Sequence, residues 1–136
     1  MNRQDLQQLA ETRISEVRVL LDNGEYSGAY YLSGYIIECA LKACIAKQTQ
    51  QHDFPDKKTV LDSYSHDLIK LVKVADLENE LRRHQENPNF EARWLTVRRW
   101  TEESRYERHG RQKALDIYES ITNSNYGVLQ WLRQHW

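Results

Sequence analysis

The segment Trp100–Gly110, "WTEESRYERHG", sets Arg105, Tyr106 and His109 close together in a chain with a formal net charge of −1. A guanidinium grips phosphate as a fork, and an imidazole moves a proton near neutral pH. Arg105 and His109 are thus the residue types that a metal-free ribonuclease uses. In a helix they would share a face at i, i+4. Gly110 and the polar run around them argue instead for a fraying helix end or a loop, where the pair has no fixed geometry.

A second constellation lies upstream. Tyr31, Tyr35, Glu38 and Lys42 fall at i, i+4, i+7 and i+11 and so occupy one face of a helix. Glu38 precedes Lys42 by four, the better orientation for a helical ion pair. The stripe reads either as a surface ion pair flanked by tyrosines or as a groove floor for a base or a phosphate. Sequence periodicity does not separate the two. Between Arg82 and Lys113 the cations are nearly all arginine, Arg98 and Arg99 among them, interleaved with Glu86, Glu91, Glu102, Glu103 and Glu107. That segment is a solvated face laced with Glu–Arg pairs or a run of phosphate contacts. His52-Asp53 and His66-Asp67 repeat a pair used by metal-dependent phosphohydrolases. The remaining ligands of such a site are missing, and His66 is accounted for as a residue at a helix start.

The elements that must position these residues read as helices throughout. Two prolines and five glycines punctuate 136 residues, and no stretch alternates as a strand does. A first helix is expected from about Asn2 to Asp22, with Leu6, Ala10, Ile14, Val17 and Leu21 on one stripe and Asn23-Gly24 ending it. A second, from about Glu25 to Lys47, is apolar on most of its circumference and therefore central. Gln48 to Tyr64 reads as a polar loop. Ser65 is placed to cap a short helix, "HDLIKLVKV", with Asp67 in its first turn. A helix around Leu77 to Glu86 stops at Asn87-Pro88, which starts the next as N-cap and first residue. That helix turns Phe90, Trp94 and Val97 inward, and a polar stretch from Glu102 to Gly110 follows. The last helix is expected from Arg111 to about His135, with "TNSNYG" a weak middle that kinks or frays. The fold class is all-α: an antiparallel up-and-down bundle of four to five main helices plus short ones, in a single domain over residues 1–136.

Composition fits a cytoplasmic protein. There is no apolar run long enough to span a bilayer and no charged-then-apolar start of the signal-peptide kind. Cys39 and Cys44 sit on one helix with Cα atoms roughly 8 to 9 Å apart, beyond disulfide reach. Five histidines without CxxC or HExxH spacing give no structural zinc site, and neither a metal nor a cofactor is expected. Bulky aromatics, among them Trp131 and Trp136 beside Leu132, are expected to pack across an interface between two copies.

"GEYSGAYYLSGYIIECALKACI", then "SHDLIKLVK", then "WTEESRY" resemble the HEPN family, the higher-eukaryote and prokaryote nucleotide-binding domain. The matching positions are Gly24, Tyr26, Ala29, Glu38, Leu41, Lys42, His66, Asp67, Leu68, Arg105 and Tyr106, in family order across nearly the whole chain. The resemblance implies a helical bundle that forms homodimers and associates with nucleotides or RNA. It also implies a place beside a minimal nucleotidyltransferase in a toxin–antitoxin or defence gene pair. Many members cleave RNA without metal through an Arg and a His near the dimer interface. The imidazole would act on the ribose 2′-hydroxyl and the guanidinium on the phosphorane charge. Here that motif is not intact, since Arg105 and His109 are one residue too close. The blander role for Arg105-Tyr106 is to anchor the end of the fourth helix, Arg105 pairing with a carboxylate such as Glu38. The expected function is therefore the helical partner in a two-gene system. A metal-independent ribonuclease toxin using Arg105 and His109, or a purely structural dimeric module, is the alternative.

Overall fold

The computed structural model describes residues 1–49 and 53–136, so His52 and its pairing with Asp53 lie outside the described residues. Among those described there are eight α-helices, one 3-10 helix and no strand.

Helix α1 (Arg3–Asp22) opens with a reciprocal cap. The Asp5 amide donates to the Asn2 side chain at 2.9 Å, and the Asn2 amide donates to the Asp5 carboxylate at 3.0 Å. Gly24, at φ +74°, makes the left-handed turn that brings α2 (Tyr26–Gln48) back along α1. Helix α2 is buried through Ala29, Ile36, Ile37, Ala40, Leu41 and Cys44, and it packs against α1, α4, α7 and α8. It is the axle of the bundle, as its nearly all-round apolarity requires. Both cysteines lie on it, free and buried.

The expected loop from Gln48 to Tyr64 holds a helix, α3 (Lys57–Ser63). Asp56 caps it by accepting from the Thr59 amide and hydroxyl at 2.9 and 2.7 Å. Helix α4 (Leu68–Val74) starts later than Ser65 predicts. Its cap is Asp67, which accepts from the Ile69 and Lys70 amides, while the Ser65 hydroxyl accepts from the Asp67 amide. Two capping residues in succession compete, and the carboxylate wins because it can face two amides at once.

Helix α5 (Glu78–His84) leads to α6 (Pro88–Arg98), capped by Asn87 and buried through Phe90, Trp94 and Val97, all as expected. A 3-10 turn (Glu102–Tyr106) follows, so Arg105-Tyr106 does not close the fourth long helix but lies on a separate short element. The expected helix from Arg111 to His135 is two helices, α7 (Arg111–Thr122) and α8 (Val128–Arg133). The Asn123 side chain ends the first by accepting from the Asn125 and Tyr126 amides at 3.0 and 2.8 Å. A Cβ at Gly127 would lie 2.5 Å from the Asn123 carbonyl oxygen, so the tight return needs glycine. The break turns α8 inward. Trp131 and Leu132 are 1% and 0% exposed and belong to the core, not to a surface shared with a second copy.

Candidate functional site

Helix α2 presents Tyr31, Tyr35, Glu38 and Lys42 on one face, and α4 and the 3-10 turn close over it. Glu38 is 5% exposed, which corrects the surface-pair reading of the stripe. Its carboxylate accepts from Lys42 Nζ at 2.9 Å and meets His66 Nδ1 at 3.0 and 3.1 Å. His66 Nε2 lies 3.5 Å from Glu102, which in turn lies 3.9 Å from the Arg105 guanidinium. The result is a line of contacts, Lys42–Glu38–His66–Glu102–Arg105, with the buried Glu38 near one end and the part-exposed Glu102 and Arg105 at the other. A buried carboxylate is tolerable only with such partners. Those partners are Lys42 and His66. Arg105, expected against Glu38, pairs with Glu102 instead.

Aromatic rings fix the geometry around this line. The Tyr35 ring stands edge-on to Trp100 at 5.2 Å, to Tyr31 at 5.3 Å and to His66 at 6.1 Å. Its hydroxyl shares a 3.1 Å hydrogen bond with that of Tyr31. Burial, and then that hydrogen bond, push the Tyr35 phenol well above its ordinary value, so it stays protonated. The Trp100 indole donates to the Tyr31 carbonyl at 3.1 Å and lies flat against Gly34. A Cβ on Gly34 would come within 1.9 Å of the indole. Trp100 is therefore a wedge that pins the end of α6 to α2.

Next to the wedge is a cleft of about 420 Å³, walled by Ser65–Ile69 on one side and by Arg98 and Trp100–Glu103 on the other. His66, Arg98 and Trp100 give it an imidazole, a guanidinium and an apolar ring, beside the carboxylates of Asp67, Glu102 and Glu103. Arg99, the neighbour of Arg98, lines a different cleft with Tyr30 and Lys113.

Arg105 and His109 have different partners. The Arg105 guanidinium lies over the Tyr106 ring at 5.1 Å, and Tyr106 itself is 77% exposed. The His109 imidazole stacks on Tyr30 at 4.0 Å, with its Nε2 3.3 Å from Glu107. Its backbone is clamped by Ser27, whose hydroxyl accepts from the His109 amide at 2.9 Å. Burial, and then the nearby Lys113, push the imidazole below its ordinary value; Glu107 opposes them. Among the described residues no group of three His, Cys, Asp or Glu is placed to hold a metal ion.

Periodicity brought the Tyr31–Lys42 stripe into view and the resemblance added His66. Glu102, Trp100, Tyr30 and Ser27 were not anticipated as site residues. Gly34, in the middle of an apolar helix, was a local signal that something large approaches α2.

A HEPN domain family model matches residues 4–134. No curated protein and no solved structure matches the chain. With a match that runs from the first turn of α1 past the end of α8, the chain belongs to the HEPN domain family and is a helical module of that nucleotide- or RNA-associated kind.

Proposed function

We propose that this HEPN domain binds RNA or a nucleotide in the cleft between His66 and Arg98, and that it is the helical partner of a minimal nucleotidyltransferase in a two-gene system. The observation that carries the binding reading is the buried Glu38. Its carboxylate holds the His66 ring in one orientation at one wall of the cleft, whose other wall carries Arg98, a guanidinium with no carboxylate partner among the described residues. An oriented imidazole and an unpaired guanidinium suit phosphate oxygens. The ribonuclease alternative has less support, because the His109 side chain is 2% exposed and its imidazole is engaged by Tyr30 and Glu107, while Arg105 is engaged by Glu102.

Exposed Phe54, Leu61, Tyr64 and Ile69 support a homodimer formed on the α3–α4 side of the bundle. Two free thiols fit a reducing compartment such as the cytoplasm. No helix among the described residues is long and apolar enough to cross a membrane.

The test is single-stranded RNA binding measured across a salt series. Affinity should fall steeply with salt as counterions are released, and His66→Ala with Arg98→Ala should weaken binding and flatten the slope. Unchanged binding in that double variant, or none at low salt, removes the reading. Metal-independent cleavage that His109→Ala and Arg105→Ala each lower by on the order of a hundredfold or more would put the ribonuclease in its place.

A further inference from the structure

Asn23 closes α1 with its side chain as well as its backbone. Its Nδ2 donates to the Val19 carbonyl at 2.8 Å, and the Gly24 amide donates to the Leu21 carbonyl at 3.2 Å. At φ −105° and ψ 9°, Asn23 turns the Gly24 nitrogen away from its own side chain. Both residues are exposed, and a Cβ built on Gly24 would meet nothing within 4 Å. An asparagine before glycine is the pair in which a backbone nitrogen most readily reaches a side-chain carbonyl carbon, because the glycine has no Cβ to obstruct the approach. A helix end is also where backbone hydrogen bonds open most often. The surroundings are unfavourable to an added negative charge. The last turn of α1 holds no basic residue, Arg18 is taken by Asp22 at 3.4 Å, and Glu25 follows the turn.

We propose that Asn23-Gly24 is a site of self-modification, gated by opening of the last turn of α1, and that its deamidation loosens the α1–α2 hairpin. When the turn opens, the Gly24 amide leaves Leu21 and its nitrogen, giving up its proton to solvent, attacks Asn23 Cγ. A bond forms between the two, the Cγ–Nδ2 bond breaks, and Nδ2 departs as ammonia. Water then opens the cyclic imide. Attack at Cγ gives aspartate, and attack at the main-chain carbonyl carbon gives isoaspartate, whose backbone runs through Cβ and Cγ. No electrons change hands, and water is the only co-reactant. Either product replaces the donor to Val19 by a carboxylate at the negative end of the helix dipole. The isoaspartate also lengthens a turn whose Glu25 amide must reach the Leu20 carbonyl at 2.9 Å. The site does not depend on the reading given to the His66 cleft.

Incubation of the full chain in mildly alkaline buffer, followed by tryptic digestion and mass spectrometry, tests the proposal. The fragment Val19–Lys42 contains no other asparagine, so an amide-to-acid mass gain there reports Asn23 alone. Asn123 is the internal control. Its side chain is held by Glu119 at 2.9 Å and by the Asn125 and Tyr126 amides, and serine follows it. Conversion at Asn23 should run several-fold faster than at Asn123 in the folded chain. Urea sufficient to unfold the chain should speed it further, because opening of the turn no longer limits the reaction. Asn23→Asp should melt below Asn23→Ala. Both lose the bond to Val19, but only the first adds a charge at the helix end, and salt should narrow the gap. Conversion at Asn123 as fast as at Asn23, a folded chain that does not convert while the unfolded one does, or equal rates in the two states would overturn the proposal. An Asn23→Asp chain that melts with the wild type would overturn the loosening of the hairpin.

Discussion

His109 shows how far a residue's surroundings outweigh its neighbours in sequence. Beside Arg105 it reads as half of a catalytic pair, yet Tyr30, from helix α2, supplies the ring it stacks on. Burial there pushes the imidazole below its ordinary 6.5, so the folded chain favours the neutral form. The unfolded chain takes up a proton near the ordinary value and so binds it more tightly. Stability is therefore full above about pH 6.5 and falls as the pH drops below it, until the folded-state value is reached. Burial lowers His135 in the same direction. Urea unfolding followed from neutral pH down into the acid range should show this decline, and His109→Gln should flatten part of it, leaving the His135 share. A slope that the substitution does not alter would mean that the imidazole is as easily charged in the fold as out of it. Local spacing made the Tyr31–Lys42 stripe legible. It did not reveal the burial of Glu38, because the cover comes from His66 on another element.

At the scale of elements, two glycines of α2 make opposite predictions. Gly34→Ala drives a Cβ into the Trp100 indole, whose ring atoms would lie 1.9 to 2.5 Å away. The wedge must move, the hydrogen bond to the Tyr31 carbonyl is lost, and overpacking of this kind costs about 1–3 kcal/mol or more. Gly28→Ala meets only the Leu20 side chain at 3.6 Å, an ordinary contact, and stands in a helical turn. It should stabilise the fold by up to about 1 kcal/mol. Thermal unfolding of both variants checks the pair. Similar effects from both would mean that the indole does not wedge the helices. Elements whose ends are set by one local signal were legible in the sequence: Asn87 as a cap, Pro88 as a first residue, Asn23-Gly24 as a turn. Where two signals compete, as at Ser65 and Asp67, or where a side-chain turn interrupts a continuous pattern, as at Asn123, the chain alone does not rank them.

For the whole molecule, the inward turn of α8 takes Trp131 and Leu132 out of contention as an interface and leaves the α3–α4 side with exposed apolar residues. Phe54 is 98% exposed and Tyr64 74%. Light scattering at micromolar concentration should give about twice the 16.2 kDa chain mass. Phe54→Glu with Tyr64→Glu should shift it to the single-chain value with the helical signal unchanged. A wild type that scatters as one chain at every concentration would refute the homodimer. The central position of α2 also makes the chain its own clock. Burial pushes the Cys39 thiol up to about 11 and the Cys44 thiol up to about 12, so almost no thiolate exists at neutral pH while the fold is closed. A disulfide-exchange reagent such as Ellman's should therefore react with the native chain only as often as α2 is laid bare. The rate of colour development should scale with the opening equilibrium and rise sharply in Gly34→Ala. Fast, complete labelling of the folded wild type would show that the axle of the bundle is open to solvent.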